Sequence, residues 1–333
     1  MIARLLPLTL CLAATVAAAQ PAATVAERDS LMAAAAAWRD AANYTEAINT
    51  YSRVPTAEAR LAVADTYLEM GNVVAALERA RLLRRDKEFP LREGAMLVEA
   101  RCRLRQGFDG AAVRILRRLV RAGNAEAMYY YARHMASRGH MAKATQMCQG
   151  ALTADPSLVP AHLLLFEAEA ALGHRYQALL PLTAYLLLAS DEGRADNAPR
   201  LAELWRRGWA GLDVLGRRTP QQPYSELMEL KMDSIGAATG RRGGGAAETL
   251  RTMAERTDAL FAAMRDSGEE NLDFWQVRYA DFFVELHARG YVEAMTHFFF
   301  SDIYRVDVLA WLSENAGYFD DFRVWLSGRA AGF

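Results

Sequence analysis

The 333-residue chain carries 39 basic and 40 acidic side chains, so its formal net charge is only −1. Binding along a nucleic acid requires a marked basic excess, and the near balance therefore argues against nucleic acid as a partner. The length is enough for one large domain or two modest ones. Ala, Leu, Arg and Glu recur at helical spacing and strand signals are nearly absent, which predicts an all-α fold.

The chain begins with the pattern of a secretory signal. A basic Arg4 precedes an apolar run at 5–16, and small residues follow at 17–19. This order predicts a signal peptide over residues 1–19, cleaved before Gln20, and hence a periplasmic or secreted protein. The apolar run is shorter than the roughly 20 residues that cross a bilayer. No later segment has 18 consecutive apolar residues, so we expect no membrane span in the mature chain.

The chain has three cysteines, of which Cys11 lies in the predicted signal peptide and Cys102 and Cys148 lie in the mature chain. An uncleaved N-terminal anchor is one alternative to cleavage, and a lipoprotein acylated at Cys11 is another, which the bulky Leu10 before it disfavours. Cys102 and Cys148 lie in apolar helical surroundings, where a thiol behaves as a small apolar side chain. We therefore expect two buried thiols and no disulfide.

A short pattern recurs along the first half of the chain: a small residue, then an alanine five positions later. The five pairs are Ala42 and Ala47, Gly71 and Ala76, Gly107 and Ala112, Gly139 and Ala144, and Gly173 and Ala178. We interpret each small residue as the turn of a helical hairpin and each alanine as a close helix–helix contact. One hairpin cannot cover its own apolar face, so neighbouring hairpins are expected to stack.

The clearest unit runs over 125–158, with Tyr131-Ala132 in its first helix, Gly139 in the turn, Ala144 in the second helix and Asp155-Pro156 at its exit. With these residues the chain resembles the tetratricopeptide-repeat (TPR) family, whose 34-residue unit is a helix–turn–helix. The resemblance implies about five repeats over 28–192 in a right-handed α-solenoid. Phe166 departs from it, because the family has a small residue there. An irregular helical bundle is the alternative.

Beyond residue 192 the pattern fades. A polar, turn-rich seam is predicted at 190–199, and degenerate helical hairpins and linkers over 193–268. The predicted helices of this region span 200–215, 224–236 and 246–266. The final region, 269–333, is expected to be an aromatic-rich helical cap on the open end of the solenoid.

Fifteen of the 32 aromatic residues lie between Phe274 and Trp325. At helical spacing such rings usually form a core, and a partner-binding patch on the cap is the alternative. Glu293 and His297 share a helix face and could belong to a metal site. The favoured interpretation is a pair on the helix surface or a histidine whose ring packs among aromatics. No catalytic motif is present, so we predict no catalytic residue, no metal and no cofactor.

In the TPR family, the second, fifth, ninth, twelfth and thirteenth positions of each first helix line the concave wall. Carried over to this chain, the resemblance implies a partner-binding groove that includes Asp65, Glu69, Arg101, Arg105, Tyr129 and Arg133. Arginines there suit a carboxylate, since a guanidinium donates two parallel hydrogen bonds. The Lys/Asn set of the chaperone-tail-binding TPR domains is absent, so that ligand is not inferred.

The function predicted from these features is that of an envelope scaffold or adaptor. It would bind a protein or peptide, acidic or carboxylate-bearing, in the concave groove. One alternative is a hydrolase-like enzyme with its site in the C-terminal helices. Another is a structural subunit that docks through an aromatic face of the cap.

Overall fold

The computed structural model describes residues 24–205, 223–239, 245–267 and 273–329. The predicted signal peptide and Cys11 lie outside these residues. The linkers predicted at 219–223 and 240–245 also lie outside them, except for their last residues, Pro223 and Gly245. Within the described ranges all regular structure is helical, comprising sixteen α-helices and one π-helical segment. The all-α prediction is confirmed for this part of the chain. None of its helices combines the length and apolar character that crossing a bilayer requires.

The helices follow the chain in short, closely spaced segments. Their bounds are α1 Val25–Asp40, α2 Tyr44–Tyr51, α3 Ala57–Glu69, α4 Val73–Arg85, α5 Arg92–Arg105, α6 Asp109–Arg121, α7 Ala125–Ser137, α8 Met141–Ala154, α9 Val159–Ala171, α10 Arg175–Leu188, α11 Asp191–Leu204, α12 Pro223–Ala238, α13 Ala246–Asp266, the π segment Gln276–Ala280, α14 Asp281–Ala288, α15 Val292–Phe299 and α16 Arg305–Arg329.

The chain divides into two compact units, Met1–Val98 and Glu99–Phe333, with the division inside α5. In the first unit α1 packs on α2, α2 on α3, and α3 on α4. In the second unit α6 packs on α7, α7 on α8, α8 on α9, α9 on α10, and α10 on α11. Packing between sequential helices is the arrangement that a helical repeat produces.

The turn and contact registers of the five hairpins are confirmed. The small residue of each pair has a positive φ, which is 56° at Ala42 and 77–87° at the four glycines. The alanine five positions later is fully buried in all five hairpins. The left-handed turn residue ends the first helix of each hairpin. The small alanine lets the second helix approach the first closely.

Ala42 is the one residue of the turn register that carries a Cβ, and the left-handed conformation costs such a residue about 1–2 kcal/mol. Ala42→Gly should therefore raise the free energy of unfolding by about 0.5–1 kcal/mol, after the greater freedom of glycine in the unfolded chain is subtracted. Urea denaturation checks this. Ala41→Gly, at the neighbouring residue with φ of −78°, is the control and should destabilise. A loss of stability in Ala42→Gly would contradict the prediction.

Ala144 lies in α8 with no exposed surface, within the core of the second unit. Ala144→Leu should overpack this contact and lower the free energy of unfolding by about 1–3 kcal/mol. Ala142→Leu, at an exposed position of the same helix, should change it little. Equal losses in thermal melts of the two variants would contradict the register.

Helix α10 lies at the centre of the second unit. Its residues from Arg175 to Leu187 are all buried, and it contacts α9, α11, α12, α15 and the π segment. One core continues from Ala132 to Leu326. The helices after residue 192 therefore pack on the last repeats of this unit and share their core.

The predicted polar seam at 190–199 is wrong, because α11 occupies it. Ser190 caps this helix by accepting a hydrogen bond from the Gly193 amide, and Asp191 and Glu192 lie in its first turn. Carboxylates are favourable at that end of a helix, so polar residues that resemble a linker begin a helix here. On this helix the Arg200 guanidinium lies 4.3 Å from the centroid of the Phe166 ring. Phe166 is the large residue at the position where the TPR pattern has a small one.

The aromatic residues between 274 and 325 form a core, as predicted. All fifteen are either buried in the core of the second unit or packed against it. Phe261 extends the cluster by stacking on Phe283, with ring centroids 4.8 Å apart. None of the fifteen is largely exposed, so the structure presents no open aromatic face in this region.

Candidate functional site

Side chains from α5 and α7, together with Asp109 at the start of α6, line a cavity of about 300 Å³ in the second unit. We name it the arginine cavity, because three of its lining residues are arginines. Its lining consists of Arg101, Leu104, Arg105, Asp109, Tyr130, Arg133, His134 and Ser137. Helical spacing places Arg101 and Arg105 one turn apart on α5, and Arg133 reaches the same space from α7.

Two of the guanidinium groups lie above one aromatic ring. The Arg101 guanidinium carbon is 4.8 Å from the centroid of Tyr130, and that of Arg133 is 5.8 Å from it. Arg133 is also 5.7 Å from Tyr129, whose ring meets Tyr130 edge-on at 5.1 Å. Cation–π contacts of this kind contribute about 0.5–2 kcal/mol each and restrict where the guanidinium groups lie.

The cavity is positively charged. Three guanidinium groups face the single carboxylate of Asp109, which also pairs with Arg138 at 3.6 Å. Ser137 donates a hydrogen bond to the His134 carbonyl at 2.9 Å and so remains close to the helix backbone. The cavity is therefore dominated by cationic hydrogen-bond donors, which suit an anionic ligand.

The structure places four of the six predicted groove residues together. Arg101, Arg105 and Arg133 line the cavity, and Tyr129 is half-buried beside Arg133. Burial raises the pKa of Tyr129, and the neighbouring Arg133 opposes that rise. Asp65 and Glu69 lie one turn apart on α3 in the other unit, and Arg39 approaches Glu69 there at 3.8 Å.

Tyr130 is one of three lining residues that the sequence prediction missed, and the other two are Asp109 and His134. Three consecutive tyrosines, 129–131, point in directions about 100° apart on a helix. Tyr131 is buried and accepts a hydrogen bond from Arg117, whereas Tyr130 receives two arginines. The repeat register alone selects Tyr129, but the run of tyrosines was a signal that a neighbouring ring could also face the groove.

The other residues considered for chemistry have structural surroundings. Cys102 and Cys148 are buried thiols that form no disulfide, as predicted, and burial raises the pKa of Cys148. His297 is buried, with its ring stacked on Trp311 at 4.0 Å, so the packed-histidine interpretation is confirmed. Within the described residues, no group of three or more His, Cys, Asp or Glu side chains is placed to hold a metal ion.

Comparison with known proteins gives no family for this chain. No protein-family model matches it, and no curated protein is significantly similar to it. The arginine cavity and the helical hairpins that build it are therefore the features from which a function can be argued.

Proposed function

We propose that this chain is a TPR-type adaptor that binds an acidic, carboxylate-bearing segment of another protein in the arginine cavity. The observation that carries the proposal is the convergence of Arg101, Arg105 and Arg133, two of them above the ring of Tyr130. The protein acts by holding its partner and performs no reaction of its own.

Three features of the cavity suit it to an anionic ligand such as a carboxylate. A guanidinium presents paired donors whose spacing matches the two oxygens of a carboxylate. The charges of several arginines add in a concave space, where they attract an anion more strongly than they would on an open surface. The tyrosine ring beneath Arg101 and Arg133 limits their motion, so less side-chain entropy is lost when the ligand binds.

The wider arrangement follows from the same proposal. The five hairpins form a right-handed solenoid of TPR type, with the C-terminal helices as its cap. The hairpin registers and the packing between sequential helices support this. The order of charge, apolar run and small residues in 1–19 supports a cleaved signal and a periplasmic or secreted location.

Binding of three designed peptides tests the proposal. The first contains several Glu and Asp residues and a free C-terminus, the second is its C-terminal amide, and the third replaces every Glu and Asp by Gln or Asn. We expect the acidic peptides to bind, and their affinity to fall as salt rises from about 0.05 to 0.3 M. The neutral peptide should not bind. Equal affinity for the acidic and the neutral peptides would contradict the proposal.

A further inference from the structure

A second cavity, of about 470 Å³, lies among α13, α15 and α16, and its charge is opposite to that of the arginine cavity. We name it the acidic cavity. Its lining includes four carboxylates but only one guanidinium, which is a formal excess of three negative charges. The carboxylates belong to Glu248, Glu293, Asp307 and Glu314, and the guanidinium to Arg251.

Most of this negative charge has no cation beside it. Arg251 pairs with Glu248. Glu293 accepts a hydrogen bond from the indole N–H of Trp311 at 3.0 Å, which is a neutral donor. Among the residues that the structure describes, Glu293, Asp307 and Glu314 form no ion pair. Three carboxylates around one concavity repel one another, and a bound cation would relieve that repulsion.

His297 supplies an independent sign of a ligand. Its side chain lines the cavity although the residue is only 5% exposed. The Nδ1 atom lies 2.9 Å from the Glu293 carbonyl oxygen, which can only accept, so Nδ1 carries the proton of the neutral ring. The Nε2 atom is then a lone-pair acceptor, and within the described residues it has no hydrogen-bond partner. Burial lowers the pKa of His297, which favours this neutral form.

We propose that the acidic cavity binds an organic cation that donates N–H hydrogen bonds, an ammonium or a guanidinium group. The His297 Nε2 atom would accept one hydrogen bond, and the carboxylates of Asp307 and Glu314 would neutralise the charge. The ring of Trp311 adds an aromatic surface of the kind that attracts cations. The volume of about 470 Å³ falls within the range of small-molecule sites. A free polyamine and a Lys or Arg side chain of another protein share this chemistry.

Calorimetric titration of the full chain with three probes tests the proposal. The first is 1,4-diaminobutane, the second is its neutral analogue 1,4-butanediol, and the third is a short peptide with one arginine and blocked ends. We expect at least one cationic probe to bind and the diol not to bind. Binding of the diamine alone would indicate a free amine, and binding of the peptide alone a protein side chain. Failure of both cations, or equal binding of the diol, would overturn the proposal.

Matched variants locate the binding. Asp307→Asn combined with Glu314→Gln should lower the affinity for the cation by about tenfold or more, because two of the carboxylates that neutralise its charge are removed. Asp320→Asn combined with Asp321→Asn makes the same change at exposed positions of α16 outside the cavity and should leave the affinity unchanged. Wild-type affinity in the Asp307/Glu314 variant would overturn the assignment.

The role of His297 has its own test. His297→Phe keeps a ring against Trp311 but removes the acceptor, so affinity should fall about tenfold while helix content by circular dichroism is retained. If this variant is too unstable to fold, the Asp307/Glu314 pair still decides the proposal, since Glu314 is exposed and Asp307 is only partly buried. If the folded His297→Phe chain binds the cation with wild-type affinity, His297 does not accept a hydrogen bond from the bound cation.

Discussion

Replacing Glu229 with alanine should lower the free energy of unfolding by about 3–5 kcal/mol. The Glu229 carboxylate is buried in α12 and accepts hydrogen bonds from Arg175 Nε at 3.0 Å and from the Tyr176 amide at 2.7 Å. Arg175 also donates to Asp233 at 2.7 Å. The side chains of Arg175 and Glu229 are only 8% and 5% exposed. Loss of Glu229 would therefore leave the buried Arg175 guanidinium without one of its carboxylate partners and the Tyr176 amide without its hydrogen-bond acceptor.

Urea denaturation followed by circular dichroism measures this loss. Glu226→Ala, at an exposed position of the same helix, is the matched control and should change stability by less than about 0.5 kcal/mol. The double variant Arg175→Met/Glu229→Leu should lose less than Glu229→Ala alone, because it leaves neither charge buried without its partner. Equal stabilities for Glu229→Ala and Glu226→Ala would show that this ion pair does not attach α12 to α10.

Reversing the charge of two arginines should abolish binding of the acidic peptide. Hydrogen bonds between charged groups contribute about 1.5–3 kcal/mol each, so Arg101→Glu/Arg133→Glu should weaken binding by about 100-fold or more. Repulsion between the new carboxylates and the ligand adds to this loss. Helix content should be nearly unchanged, because Arg133 is exposed and Arg101 is only partly buried. Fluorescence anisotropy with the labelled acidic peptide measures the affinity.

The control for this variant makes the same change of charge outside the arginine cavity. Arg114 and Arg118 are exposed on α6 and do not line it. Arg114→Glu/Arg118→Glu alters the net charge of the chain identically, so it separates a local contact from a general electrostatic effect. Equal weakening in the two variants would mean that the peptide responds to overall charge and has no site at the cavity.

The local part of the fold was predictable from the sequence. Each hairpin needs a left-handed turn residue and a small contact residue at fixed spacing, and both are visible as residue types. Gly139 and Ala144 therefore gave the turn and the contact of α7 and α8 correctly. The grouping of Arg101 with Arg133 followed from the same register, since equivalent positions of successive repeats face the same side.

The long-range part was not predictable. The Arg175–Glu229 ion pair joins residues 54 positions apart, and no residue pattern marks the two as partners. The acidic cavity likewise collects Glu248, His297 and Asp307 from three helices that only tertiary packing brings together. Polar residues at 190–199 resembled a linker because the residues that cap a helix are also common in turns.

A charge exchange tests the central claim most directly. The acidic peptide and a counterpart with lysine at every acidic position are each titrated against the wild-type chain and against Arg101→Glu/Arg133→Glu. Wild type should bind the acidic peptide and not the lysine peptide, and the variant should reverse this preference, because the attraction depends on the sign of the charges in the arginine cavity. A variant that still binds the acidic peptide with wild-type affinity would show that the arginine cavity is not the binding site.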